Sequence, residues 1–322
     1  MSYFDRVVDR IEKNKSREFN AIPIGLPRFS KYYPGIEKGV YTLLSSGPKV
    51  GKSFFTDNCY VYNAYDFIQG RDIKLKIFYY SMEMSLEEML IRGISRRVSK
   101  KFDIILKRED ILSLNENRMS QEKFDMIYST REYFEKLEDV LIIKEGSINP
   151  YGIFKEVDDY CKNNGHFDQG KYVDNDEFRL VILDHVSLLS AERGMDKRQT
   201  IEKFSVDCVS NRNKYGVSYL INQQQTLDKE RAQYTNSGQV IEDRFEPSID
   251  GLADNKATSR DCTTMLTLYA PHRHHITKHN GLNIAQYGEH YRSLKITLNR
   301  NGEADVCVPL YIDVNKGEIR EL

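Results

Sequence analysis

The sequence predicts an α/β fold, a mainly parallel sheet with helices on both faces and a β-hairpin at the C-terminal end. From residue 39 onward, continuous apolar runs of strand length alternate with helical patterns. The first run ends in a glycine-containing turn that opens a helix, and the last two runs are joined by NRNGEAD (299–305). Strands apolar on both faces and separated by helices belong to a parallel sheet buried on both sides.

In chain order, residues 3–15 form a short amphipathic helix, with Phe4, Val7, Val8 and Ile11 at helical spacing. Such a helix is too short to be stable alone and must pack on its own core or on a neighbouring subunit. The stretch 20–38, rich in proline and glycine, reads as an extended linker after an arm of residues 1–19. The domain proper is expected over 39–322. GVYTLLSS (39–46) is the first strand, with a helix from about Lys52, and KIFYYSM (76–82) is the second, followed by the helical SLEEMLIRGISRRVSKK. VLIIKE (140–145), RLVILDHVSLL (179–189) and GVSYLIN (216–222) continue the alternation, with helical patterns after the first two. MLTLY (265–269), LKITLN (294–299) and VCVPLYID (306–313) complete the strands. Two segments read as long loops, 226–260 and 270–293, the latter holding five of the seven histidines.

Composition excludes several classes. No apolar run approaches the ~20 residues of a membrane span, and the first residues lack a signal-peptide core. A cytoplasmic location is expected. The five cysteines are scattered with no CxxC pair, against both a disulfide framework and a zinc site. Net charge is −1, so no overall positive field would hold the protein on nucleic acid. Any such binding needs local basic groups, multiplied by assembly.

The chemistry-bearing signal is SGPKVGKS (46–53), between a strand and a helix. It matches the phosphate-binding pattern GxxxxGK[ST] except that Ser46 stands where glycine is expected. Ser46, Gly47, Pro48, Lys49, Val50, Gly51, Lys52, Ser53 and Phe54 are therefore the candidate nucleotide-binding residues. Backbone N–H groups at a helix N-terminus wrap an anion; Lys52 would reach the β- and γ-phosphates, and Ser53 would offer its hydroxyl to Mg²⁺. Asp184, at the end of RLVILD, suits a carboxylate behind that ion, although an Asp after a strand also serves as a cap or turn. Glu83 leaves the second strand and is a candidate general base, or equally an acid of a first helical turn. Gln223, after the fifth strand, can contact a γ-phosphate or simply line a polar loop. The histidines 272, 274, 275 and 279 invite a metal site, but no Cys or carboxylate joins them at a recognised spacing, and an incidental loop is the preferred reading.

Taken together, these motifs resemble the DnaB-like replicative DNA helicases, with their RecA-like P-loop ATPase domain. YSMEMS resembles the family's SLEMS, LVILDHVSLL its IVIDYLQLM, and SYLINQ its strand ending in SQ. ITLNRNGEADVCVPLYID resembles its KNRNG segment, and GLPRFSKYYPGIEKGVYTLLSSGPKVGKS its lead-in to the P-loop. The order holds from about residue 20 to the C-terminus. The resemblance implies an ATP- and Mg²⁺-dependent helicase on single-stranded DNA, a homohexameric ring, with a primase or loader as partner. By position it implies Lys52 and Ser53 at the triphosphate, Glu83 as base, Asp184 as metal acid, Gln223 as γ-phosphate sensor and Arg300 as the arginine finger for a neighbouring subunit. Without the resemblance Arg300 is a surface arginine in a hairpin turn. The DNA loop falls on ADNKATSRD (253–261), giving Asn255, Lys256, Thr258, Ser259 and Arg260 as DNA contacts.

The departures are Ser46, Leu298 where the family has lysine, and a longer loop at 226–247. The helix at 3–15 stands where the family has a helix that docks on the adjacent subunit. The family's primase-binding domain has no counterpart here, which suggests a phage or mobile-element system. Two alternatives remain: a recombination or helicase-loading ATPase of the same fold, and an assembly protein that nucleotide merely organises.

Overall fold

Residues 3–114, 116–168, 170–226 and 245–322 are described by a computed structural model. The sheet strands are β1 (Tyr41–Ser46), β2 (Lys74–Ser81), β3 (Leu141–Glu145), β4 (Glu177–Asp184) and β5 (Ser218–Gln224). They are followed by β6 (Thr264–Tyr269), β7 (Tyr291–Asn299), β8 (Cys307–Asp313) and β9 (Glu318–Glu321). All nine form one sheet, ordered β9-β8-β7-β6-β1-β5-β4-β2-β3. Strands β6 to β3 in that order are parallel, and β7, β8 and β9 are antiparallel.

The sheet is buried on both faces, as its unbroken apolar runs demand. One face packs on the helical segment after β1, on helix Leu86–Phe102, and on residues 22–36. The other packs on helices Pro150–Asn163 and Lys197–Tyr215. Local chemistry sets these helix ends. Asn149 accepts from Gly152 N at 2.8 Å, Asp196 and Gln199 form a capping box, and Gly216 at φ 68° stops the second helix in a conformation that suits glycine.

Several expectations change. The stretch 20–38 is extended but fixed on the domain: Ala21–Ile22 pairs with Ile36–Glu37, and Ile22, Ile24, Leu26, Phe29 and Tyr33 are buried. Its apolar residues outweigh its prolines. Glu321 in β9 accepts from the backbone of Arg28 at 2.9 Å and Phe29 at 2.7 Å. Strand β4 ends at Asp184, and Val186–Leu188 forms a 3₁₀ turn instead of continuing the strand. The segment 270–293 contains two short 3₁₀ turns and a small ribbon, and its last residues already belong to β7. Of the long 226–260 segment, residues 227–244 lie outside the described residues; Leu252 returns beside β5 by bridging to Gln225. An unexpected polar ribbon, Gly165–Asp168 with Lys171–Asp174, covers the start of β4.

That ribbon is tied to the sheet by Arg179, which is 2% exposed. Its guanidinium donates to Glu177 at 2.7 Å, Tyr172 Oη at 2.8 Å and Asn164 O at 3.1 Å. Arg179→Ala would strand the buried Glu177 carboxylate, at a cost of about 3–5 kcal/mol. Denaturant unfolding followed by circular dichroism is expected to show a loss of that size, and an unchanged midpoint would refute it.

The N-terminal helix Tyr3–Ser16 is followed by Arg17, whose Nε donates to Asp176 at 3.2 Å; Lys38 reaches the same carboxylate at 2.9 Å. Partial burial pushes the Asp176 carboxyl up, but the bonds from Arg17 and Lys38 outweigh it and hold it at about 2. A lowered folded pKa stabilises above the unfolded value of about 3.9 and the gain is lost as pH falls through about 2. Because the site is largely exposed, its worth is about 1 kcal/mol or less. Asp176→Asn is expected to speed tryptic cleavage at Arg17 several-fold at neutral pH, and an unchanged rate would show that the arm is held elsewhere.

Candidate active site

Ser46 ends β1, fully buried, and the chain turns through residues 47–51 with Lys49 at φ 57° and Gly51 at φ 107°. A side chain at Gly51 would be strained by that φ, yet a Cβ there meets nothing within 4 Å. The space before the loop is open. A helical segment follows, α over Lys52–Thr56, π over Asp57–Tyr62 and α over Asn63–Ile68. No side chain caps its start, so its first N–H groups are available to an anion.

Two arginines that sequence reasoning missed hold the loop from behind. Arg292 Nε donates to Val50 O at 2.8 Å, and Arg273 donates to Pro48 O. Carbonyls fixed on that side leave the loop's N–H groups for the other. Burial, then the neighbouring Arg273 charge, lowers Arg292 to about 10. No local motif marks either residue, since each lies more than two hundred positions from the loop it holds.

The remaining residues converge from the carboxyl ends of neighbouring strands, where α/β sheets take their ligands. Asp184 ends β4 at 2% exposure and pairs with Ser81, the last residue of β2. Glu83 lies two residues beyond Ser81, with Oε2 3.9 Å from His185 Nε2. Lys52 is 8% exposed; burial lowers its pKa, while the Asp184 and Glu83 charges oppose that. Burial and the Lys52 charge lower His185 as well, so its imidazole is neutral at pH 7.

Gln223 points elsewhere. Its amide donates to Ala253 O at 2.6 Å and Asn255 O at 2.8 Å, and its oxygen accepts from Thr258 at 2.5 Å. Side chains alternate along a strand, and it is Gln224 whose amide lies 3.4 Å from His185 Nε2.

The candidate DNA residues divide. Asn255, Thr258 and Ser259 are buried and bonded internally, Asn255 to Arg198 O at 3.0 Å and Ser259 to Lys256 O at 2.8 Å. Their polarity serves the fold, contrary to the expectation that they meet phosphates. Lys256 and Arg260 are exposed, paired with Asp250 and Glu202.

Arg300 sits at the far end of the sheet. Its backbone N bonds Thr263 O at 2.9 Å and its Nε bonds Cys262 O at 2.9 Å, while Thr263 N bonds Tyr41 O at 2.7 Å. Tyr41 begins the strand that Ser46 ends, so Arg300 is about 17 Å below its own P-loop. Leu298, where a lysine was expected, packs against the second core cluster.

Among the described residues no group of three or more His, Cys, Asp or Glu could hold a metal by itself. The histidines serve separately. His274 stacks on Phe245 with ring centroids 4.2 Å apart, and His279 bridges Tyr291 Oη at 3.0 Å and Glu246 at 2.7 Å. Burial, then Arg292 and Arg273, lowers His272 to about 4. A nucleotide-bound Mg²⁺ is another matter: the Ser53 hydroxyl and Asp184 are hard oxygen donors, and Asp184 Oδ1 is buried without a hydrogen-bond partner among the described residues. Those residues fit the ion.

No protein-family model matches the sequence, and neither does any curated protein. Solved structures do match. The ATPase domain of a phage helicase aligns over 100% of this chain and 99% of its own, with a TM-score of 0.76 and 16% identity. A DnaB-like replicative helicase, described with its interactions with primase, aligns over 100% of this chain and 68% of its own, with a TM-score of 0.74 and 15% identity. No helix among the described residues is long and apolar enough to cross a membrane. The protein carries the RecA-like P-loop fold of that phage ATPase domain and of a DnaB-like replicative helicase.

Proposed function

We propose that the chain is an ATP hydrolase that drives translocation on single-stranded DNA and unwinds duplex in replication, working as a homohexameric ring. The observation that carries this reading is the separation of the site's parts. Lys52, Ser53, Glu83 and Asp184 gather at one end of the sheet, and Arg300 lies at the other, so a complete site needs two subunits. The exposed stripe Phe4, Val7 and Ile11, at 74%, 56% and 52%, supports assembly through the N-terminal helix.

In this reading the loop N–H groups and Lys52 hold the triphosphate, with Ser53 and Asp184 holding Mg²⁺. Bound Mg²⁺ supplies charge neutralisation between the β- and γ-phosphates. Glu83 accepts the proton of the attacking water, and Gln224 takes the γ-phosphate contact assigned from sequence to Gln223. Lys256 and Arg260 exchange their surface carboxylates for DNA phosphates. A primase or a loader remains the expected partner. The packing of Leu298 into the core, where the helicases carry a lysine near the finger, favours one alternative, an assembly protein that nucleotide organises.

ATP turnover with and without single-stranded DNA, at low and moderate salt, tests the reading, together with unwinding of a forked duplex. Stimulation by DNA that weakens with salt supports the translocase. Turnover indifferent to DNA, without unwinding, selects the assembly protein.

A further inference from the structure

The helical segment after the P-loop carries a carboxylate one turn beyond Ser53. Asp57 opens the π-helical turn and is 2% exposed. Residues four apart stand one above the other on a helix face and lean toward its N-terminus, which directs Asp57 back toward Ser53. From the sheet, Tyr79 donates its hydroxyl to Asp57 Oδ1 at 2.9 Å. Tyr79 pairs with Ile182 in β4, and Ile182 shares its face of the strand with Asp184, two residues on. Asp57 and Asp184 therefore meet in one layer, between this helix and the sheet.

Their remaining oxygens are the telling feature. Asp57 Oδ2 and Asp184 Oδ1 are both buried, and neither has a hydrogen-bond partner among the described residues. Two buried carboxylates with open oxygens in one layer are costly unless a cation serves both. Lys52 lies with Asp184 and Glu83, and Arg92 is the basic group whose charge reaches Asp57. Neither bonds Asp57 Oδ2.

We propose that Asp57 is a second acidic residue of the magnesium position, acting with Asp184 on the water shell of the ion that Ser53 and the nucleotide hold. The inference rests on the ATP·Mg²⁺ reading above. Mg²⁺ keeps several of its waters, and carboxylates beyond direct reach orient them. Tyr79 fixes one oxygen of Asp57 and leaves the other for that purpose. Asp57 is a positioning residue and touches no phosphate. The competing account makes it a protonated partner for Tyr79 and nothing more.

Binding of mant-ADP at increasing Mn²⁺ separates the two accounts, read by mant fluorescence and by the electron paramagnetic resonance of bound Mn²⁺. The chain has no tryptophan, so the probe is excited directly. Asp57→Asn keeps the volume and the acceptor for Tyr79 while removing a buried charge, and it should melt at or above the wild-type temperature. It is expected to raise the Mn²⁺ needed for half-saturation about tenfold, with mant-ADP affinity in EDTA at or above wild type. Tyr79→Phe, which keeps the carboxylate, should leave the Mn²⁺ requirement close to wild type. A wild-type Mn²⁺ requirement in Asp57→Asn, alongside a weakened Asp184→Asn, overturns the inference alone; so do equal shifts in Asp57→Asn and Tyr79→Phe. Wild-type protein that binds no mant-ADP with or without Mn²⁺ defeats the nucleotide reading and this inference with it.

Discussion

Arg300→Ala is expected to lower ATP turnover by about 10³-fold while mant-ADP still binds. Position within the fold is the reason. Arg300 is about 17 Å from the P-loop of its own chain and held there by the carbonyls of Arg260 and Cys262. It makes no contribution to nucleotide binding within its own subunit. A guanidinium delivered from the next subunit acts on the charge that develops at the transferred phosphate, so its loss appears in turnover and not in affinity. Single-turnover hydrolysis beside equilibrium binding reads the two separately. Turnover in Arg300→Ala equal to wild type would remove the inter-subunit site.

Glu83→Gln is expected to cost about 10²–10⁴-fold in turnover, again with nucleotide bound. The side chain is 58% exposed at the mouth of the site, with its carboxylate beside neutral His185 and its charge felt by Lys52. Glutamine preserves size and reach but accepts no proton from water. A mixture of the two variants gives the sharpest result. A site that combines Glu83 from an Arg300→Ala subunit with Arg300 from a Glu83→Gln subunit is intact, so mixing two inactive proteins should restore hydrolysis. No recovery on mixing, with both variants shown to co-assemble, would place the two residues in separate processes.

Much of this was legible in the sequence, for identifiable reasons. Continuous apolar runs announce buried parallel strands, and a glycine-lysine-serine turn between strand and helix announces a phosphate site. What failed were inferences from polarity alone. Asn255, Thr258 and Ser259 look like surface residues, yet all three are buried, and Asn255 and Thr258 bond Gln223 inside the fold. LINQQQ offers consecutive glutamines, and the strand's alternation becomes visible only with the bonds that occupy Gln223 and Gln225. Strand β9 and the ribbon over 165–174 are short and charged, so no apolar pattern marks them. Arg273 and Arg292 act on a loop remote in sequence, a relation that only the folded chain expresses.

The arginines behind the P-loop bear on timing. Arg292 lies near the beginning of β7 and grips Val50, and Arg300 follows the last residue of the same strand. Eight residues of strand span about 26 Å, and β7 is hydrogen-bonded on both sides by β6 and β8. One stiff rod thus connects the loop that feels a subunit's own phosphate to the arginine it offers next door. A loop that moves on losing its phosphate would push or withdraw that arginine directly. Firing in turn around a closed assembly would then need no messenger beyond a strand of the sheet.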